Sequence, residues 1–422
     1  MMVTIGNKRV DNTLITYLAV CYTLIMSGSL YQYAYMSTLG IINIFVALLL
    51  LCFRIAKHGT NSIRVKKNIV DIFVVFCGIG LLACMIAWLD FSFFMDYLSK
   101  FCVVLMPCLI CKYIKIEDFM RAYIKIIFFL AVASLVFYLF PTVLQFLPYK
   151  IVIETSKWSF DNYLIYAAYH NPIYSIQERN IGVFWEPGMY QGFLIFAMIY
   201  IATKKRRTFR TFLFQLVMLG TILTTQSSTG YILLVLVLLI YVLASVSPEK
   251  KKIRIGLSML IIVAVSILLF YPQFFYSLLD TLFPGITNKL LAGNDGGSMG
   301  TRIYSMLTDG YLVVRHPFGI GTQLDEYRSN ALRMFGFLTD GANINTTFTM
   351  MLYYGWVSGV LYFIMMVKGC FHFFGNNLIG VIVTIVMLII INTEPHYMTL
   401  FFTVIFMGCV KYDGTKDLKI ER

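Results

Sequence analysis

LIGVIVTIVMLIIINTEPHYMTLFFTVIFMGCV, residues 378–410, is two apolar runs joined by one short polar turn. A helix needs about twenty apolar residues to cross the hydrocarbon of a bilayer. The runs at 378–393 and 395–410 come close to that length and share a tight turn holding Glu394. Reading outward for the same pattern gives further spans at 12–30, 34–53, 68–89, 97–111, 119–140, 187–202, 211–226, 229–246, 255–271 and 347–367. The expected fold class is therefore an all-α polytopic membrane protein of about twelve transmembrane helices, with residues 1–422 as a single integral membrane domain.

Composition supports lipid as the solvent. The 422 residues are 59% hydrophobic and 13% charged, against about 25% charged in a soluble domain. A soluble chain of this size with so little charge could not cover its own surface. The nine cysteines lie in or beside apolar runs, which argues against an extramembrane disulfide framework. Cys108 and Cys111 form a CxxC in an apolar context, with no second pair and no partnering histidine, so membrane-core thiols are expected and no metal site. The run at 13–30 lacks a following cleavage-site pattern and reads as a first span, not a signal peptide.

The net charge of +13 is distributed as membrane topology requires, not as a nucleic-acid surface would be. Basic residues cluster between spans, at Arg54–Lys67, Lys204–Arg210 and Lys250–Arg254. Alternating sides from Lys8 and Arg9 puts every strongly basic segment on the cytoplasmic side, with both termini there as well. Two connections, 141–186 and 272–346, then face outward and are far longer than helix hairpins need. Long loops of this kind are functional or disordered. Their tryptophans, tyrosines and patterned segments point to a folded, partly helical external cap.

Few ionisable residues lie within spans. Asp71, Lys100, Arg121 and Lys125 sit near span ends, where long side chains snorkel and carboxylates reach headgroups. No mid-helix charge resembles a proton relay, so attention moves to the loops. In the second loop, the glycine-rich FPGITNKLLAGNDGGSMG (283–300) precedes TRIYSMLTDGYLVVRHP (301–317), an amphipathic helix stopped by Pro317 and followed by the turn FGIG.

Arg302 is expected in the first turn of that helix, against the macrodipole, where guanidinium and backbone N–H groups make an anion-binding corner. Pairing with Asp295 or Asp309 is the structural alternative. Arg315 and His316 end the helix, where cations satisfy carbonyls. His316, with His170 and His396, is one of three outward histidines able to act as a base near neutral pH. In the first loop, ERNIGVFWEPGMYQGF (178–193) runs into a span. Pro187 suits a first helical turn, and Glu186 gains from the dipole. Arg179 has no comparable account beyond pairing with Glu178 or Glu186. Gly355 and Gly359 read as a helix-packing GxxxG, and TTQSSTG as capping hydroxyls in a tight turn. Motifs for nucleotide hydrolysis, serine hydrolysis and zinc chemistry are missing from any workable context.

RNIGVFWEPG (179–188), then TTQSSTGY (224–231), then a long loop with GTR (300–302) and HPFGIG (316–321), then NIN and YYGWVSG (343–345 and 353–359), resembles the O-antigen polymerase and ligase superfamily. The resemblance implies a bacterial inner-membrane, GT-C-like glycosyltransferase. Such an enzyme would use undecaprenyl-pyrophosphate-linked oligosaccharide as donor and acceptor, with no cofactor and no metal. A chain-length regulator would be a partner. By the same resemblance Arg179 and Arg302 are the pyrophosphate-binding arginines, expected to converge on one pocket. Arg315 is a further candidate for binding the pyrophosphate, and Glu186 and His316 are candidate bases on their own chemistry, the resemblance leaving the base open. Ligases of the family carry a histidine where this chain has Ile344, ahead of Asn345 and Gly355, which favours a polymerase of O-antigen or capsule repeat units. O-antigen ligase is the enzyme alternative, and a lipid-linked oligosaccharide flippase is the alternative from another class. Thr229 stands where many relatives have arginine.

Overall fold

The computed structural model describes residues 4–58, 68–87, 93–147, 150–154, 159–170, 179–204, 208–245, 255–256, 259, 298–324, 327–330, 345–375, 378–393 and 400–411. Most of the expected span at 255–271, the segments 171–178 and 272–297, and the residues Asp295, Ile344, Glu394 and His396 lie outside them. Among the described residues the chain is overwhelmingly helical. The helices are α1 (Thr4–Ile25), α2 (Leu30–Ala34), α3 (Met36–His58), α4 (Ile69–Ala87), α5 (Phe94–Tyr113), α6 (Ile116–Leu139), α7 (Pro187–Lys204), α8 (Phe209–Thr225), α9 (Ser228–Ser245), α10 (Ser298–Arg315), α11 (Thr346–Tyr354), α12 (Trp356–Phe374), α13 (Leu378–Thr393) and α14 (Leu400–Val410).

Among the described residues four helices, α4, α5, α6 and α12, are long and apolar enough to cross a membrane, and shorter apolar stretches lie in α1, α3, α8, α9, α13 and α14. Their outward faces match that solvent. On α4 the exposed residues include Ile72, Val75, Ile79, Leu82 and Ile86, an apolar stripe at helical spacing. A water-facing helix would carry charge there.

The chain divides into two compact units. One comprises residues 1–123, 301–375 and 394–422, the other 124–300 and 376–393. In the first unit α5 packs on α3, α4 and α14, and α12 packs on α4, α11 and α14. Aromatic rings fill the seams: Tyr123 and Phe119 against Phe401, and Tyr362 against Phe73 and Phe406. In the second unit α7 packs on α8, α9 and α13, and every residue from Pro187 to Ala202 is buried. At Gly230 of α9 an added Cβ would meet the amide end of the Gln191 side chain of α7, so glycine lets the two helices approach with that side chain between them.

Three sequence expectations are corrected here. The span expected at 347–367 is two helices, α11 and α12, broken at Gly355, whose φ of +84° leaves the helical region. Hydropathy runs unbroken through this break, and only the glycine marks it. Gly359 does mediate close packing, since a Cβ there would meet Met351 of α11.

Second, the first long loop holds strands. β1 (Ile151–Glu154), β2 (Ser159–Asn162) and β3 (Ala167–Tyr169) form an antiparallel sheet in the order β1-β2-β3. Register pairs Ile153 with Phe160 and Phe160 with Tyr169. Asp161 ties it together: one oxygen accepts from Lys150 Nζ at 3.0 Å and the other meets His170 Nδ1 at 2.7 Å. Third, Asp71 does not reach headgroups. It is buried, 3.2 Å from Lys112 Nζ, and accepts from Asn68 Nδ2. Cys108 and Cys111 have separate partners, Asp71 Oδ1 and the Val404 carbonyl.

Candidate active-site residues

In the second unit, the segment Arg179–Glu186 lies over the start of α7 and is held by buried polar contacts. Asn180 is fully buried. Its amide donates to Thr224 Oγ1 at 3.0 Å and to Ser134 Oγ at 3.3 Å, and its carbonyl oxygen accepts from the Gly182 N–H at 3.0 Å. Ser134 Oγ in turn lies 2.9 Å from Tyr190 Oη. Gly182 sits at φ +58°, and an added Cβ would strike the Tyr190 ring, so the turn requires glycine twice over. The Phe184 ring stacks with those of Tyr190 and Phe193. The sheet is pinned to the same turn by the Ala167 N–H, which donates to the Gly182 carbonyl at 2.6 Å.

This network fixes Arg179. Its Nε donates to the Thr225 carbonyl at 2.9 Å and its Nη2 to the Gln226 carbonyl at 3.0 Å. These carbonyls belong to the end of α8, where Gln226 is left-handed and closes the helix. Arg179 therefore does have a structural partner, the carbonyl end of α8, which the charge-pairing argument did not anticipate. The hydroxyls of TTQSSTG serve the backbone as expected: Thr225 Oγ1 donates to the Ile222 carbonyl and Thr224 Oγ1 to the Thr221 carbonyl. Glu186 directly precedes α7, and its carbonyl accepts from the Tyr190 N–H. Asn180 was missed by sequence reasoning, although a polar residue among Arg, Ile and Gly before a span was its visible signal.

In the first unit, α10 holds Arg302 and Arg315, with His316 directly after it. The helix begins at Ser298, so Arg302 lies a turn later than expected and outside the strongest field of the macrodipole. Pro317 ends it as expected, and Gly319 and Gly321, at φ +94° and +64°, carry the turn. This turn is locked to neighbouring helices. The Pro317 carbonyl accepts from the Trp356 N–H, the Phe318 carbonyl from Cys84 Sγ, and the Ile320 N–H donates to the Leu352 carbonyl.

Asp309 of α10 is claimed by Arg328. Nε and Nη2 of Arg328 both donate to Asp309 Oδ1, at 3.0 and 2.6 Å, in a fully buried pair. Burial pushes the Asp309 carboxyl above the usual carboxylate range, against the pull of Arg328. Arg315 is exposed, with its guanidinium 4.5 Å over the Tyr311 ring. His316 is half-buried with its ring edge-on to Tyr327. Desolvation, and then the Arg315 charge, lower its pKa below the ordinary imidazole value. The imidazole is thus neutral near pH 7 and able to accept a proton.

Asn345 caps α11, its side chain accepting from the Phe348 N–H at 3.1 Å. The structure thus groups Arg302, Arg315, His316 and Asn345 in the first unit, and His170, Arg179 and Glu186 in the second. Among the described residues no cluster of His, Cys, Asp or Glu is arranged to hold a metal.

Residues 213–365, from α8 through α12, match the family described as O-antigen ligase. No curated protein and no solved structure matches the chain. The matched stretch includes the α8–α9 turn, α10 with its proline stop, and the Asn345–Gly355 segment, which carry part of the sequence resemblance, while RNIGVFWEPG (179–188) lies outside it. Over residues 213–365 the chain is thus similar to the O-antigen polymerase and ligase superfamily, which supports the resemblance read from its motifs.

Proposed function

We propose that this protein polymerises undecaprenyl-pyrophosphate-linked oligosaccharide repeat units of an O-antigen or capsule on the outer face of the bacterial cytoplasmic membrane. The observation that carries this choice over ligase is Ile344, which stands where ligases of the family carry a histidine. The acceptor sugar's hydroxyl attacks the donor's anomeric carbon, a new glycosidic bond forms, and the bond to pyrophosphate breaks. The hydroxyl proton passes to Glu186 or His316, and undecaprenyl pyrophosphate leaves with the bonding pair. Arg179, Arg302 and Arg315 bind its phosphates. Guanidinium stays charged and donates in a bidentate fork, which suits a phosphate that gains charge in the transition state.

The family match is described by the ligase activity, so the ligase reading is tested beside the first. A strain lacking a polymerase makes surface glycan carrying one repeat unit. A strain lacking a ligase accumulates lipid-linked polymer, and one lacking a flippase shows neither on its surface. The expected deletion phenotype is the first. Polymer left on the lipid carrier would replace this reading with ligase.

The proposal includes about twelve spans, cytoplasmic termini and outward-facing loops at 141–186 and 272–346. Reporter fusions at Tyr163 and Asn294 are expected to show outer-face activity, and a fusion at Arg207 cytoplasmic activity. A cytoplasmic signal at Asn294 would put Arg302 on the wrong side for an outer-face donor.

A base with the lowered pKa of His316 predicts a particular pH profile. The neutral form persists to lower pH than free imidazole, so the acidic fall in turnover should begin at lower pH than an unperturbed imidazole would give. His316→Ala should lower the plateau and abolish this acidic limb. An unchanged limb in the variant assigns it to another group.

A further inference from the structure

We infer that α10 is an interfacial helix whose outward face rests against the phospholipid of the bilayer. Its outward face is not that of a helix in water. The inward residues mix Ser305, Thr308 and Asp309 with Leu312 and Val313, all buried, and Asp309 is neutralised by Arg328. The outward residues include Met306, Leu307 and Val314, with Phe318 just beyond the helix end, at 54%, 55%, 72% and 78% exposed. A helix on a water-facing surface keeps residues of this kind inward and turns polar ones outward.

The attachment of α10 sets its depth. Trp356 opens α12, one of the helices able to cross the membrane. Its indole Nε1 donates to the Val313 carbonyl at 2.6 Å, and its N–H donates to the Pro317 carbonyl at 2.9 Å. Tryptophan at a span end occupies the membrane–water interface. Val313 and Pro317 are therefore at that level too. On the other side, the Phe318 carbonyl accepts from Cys84, less than one turn from the end of α4. The C-terminal half of α10 and Phe318 thus lie at the margin of the hydrocarbon, the depth at which amphipathic helices bury an apolar face by about 5–10 Å. Arg315, exposed and stacked on Tyr311, stands at the same end, where a headgroup phosphate lies. A groove of about 540 Å³ between α10 and Phe348, walled by Met306, Gly310 and Val314, leaves room for acyl chain. This inference rests on the membrane reading alone and stands whichever glycan reaction the protein performs.

Photo-crosslinking in living cells tests it. Benzoylphenylalanine is placed at Val314, at Phe318 and, as a control on the same unit, at exposed Asn330. Cells are grown in ³²P-phosphate and irradiated, and only membrane-integrated protein that elutes like the wild type is scored. The expected result is ³²P-lipid adduct at Val314 and Phe318 several-fold above Asn330, with the label released by mild alkali, as glycerophospholipid esters require. Alkali-stable label would overturn the inference and give the face to a polyprenyl carrier. A protein adduct without lipid would overturn it in favour of a protein partner, and label no higher than at Asn330 would overturn it outright. The native-like Phe318 replacement keeps the test decisive if the Val314 variant fails to fold.

Discussion

Arg328→Ala should unseat α10, lowering stability by about 3–5 kcal/mol, the range for removing one partner of a buried ion pair. Asp309 is fully buried and Arg328 nearly so, and both guanidinium bonds converge on one carboxylate oxygen. Alanine leaves that carboxyl without its cation in a site where burial already works against ionisation. The pair need not be a net stabiliser for its disruption to be costly, because desolvation was paid by both ions together. A paired replacement, Asp309→Leu with Arg328→Met, should therefore recover most of the loss. The measurements are the thermal midpoint in detergent and the rate of proteolysis within residues 298–330. A single alanine variant with an unshifted midpoint would show that water reaches the pair. The result also limits how activity data are read, since Arg328 holds α10, the helix that carries Arg302, and its loss would act through folding, not through phosphate.

If the proposed reaction is right, Arg179→Ala and Arg302→Ala should each slow it by roughly 10²–10³-fold, the cost of losing one preorganised transition-state donor. Lysine at either position keeps the charge but loses the fork, so it should also impair turnover. The two positions differ in what else the change removes. Arg179 donates to the carbonyl end of α8, so its alanine variant also loses two charge-assisted bonds to backbone, each worth about 1.5–3 kcal/mol. A purely capping role would lower the thermal midpoint while the surviving folded protein turned over at near the wild-type rate. A phosphate-binding role lowers kcat of protein that is correctly inserted and folded. Full-length polymer from both alanine variants would remove both arginines from the site.

The sequence was most readable where one residue type forces the backbone. Pro317 ends α10 and glycines take positive φ just after it because no other residue does either job as cheaply, and both features occur where expected. The break at Gly355 obeys the same rule but lies inside an uninterrupted apolar run, so hydropathy hid it. The small sheet was illegible for another reason. Its strands are three or four residues long and are held by side chains from all three strand regions, Lys150, Asp161 and His170, which no local period reports. Pairings across distance were the least visible. Asp309 had nearer candidates in sequence than Arg328, and Arg179 found its partners 46 and 47 residues away, in carbonyls that have no sequence signature. The family resemblance was readable because its motifs sit at such constrained turns.

Helix α7 has a consequence for how the chain is made. It is not among the four helices long and apolar enough to enter a bilayer on their own account, and protein surrounds it from Pro187 to Ala202. Its neighbours α8, α9 and α13 are all later in the chain. While the ribosome is still producing them, α7 has Ser134 of α6 and the Phe184 ring beside Tyr190, but Gln191 lacks the surface that Gly230 of α9 gives it. The segment must wait in a half-finished protein until its enclosure has been translated. Substitutions that slow or weaken α8 or α9 would then surface as a defect in α7, caught by quality control at the translocon before any catalytic test could register it.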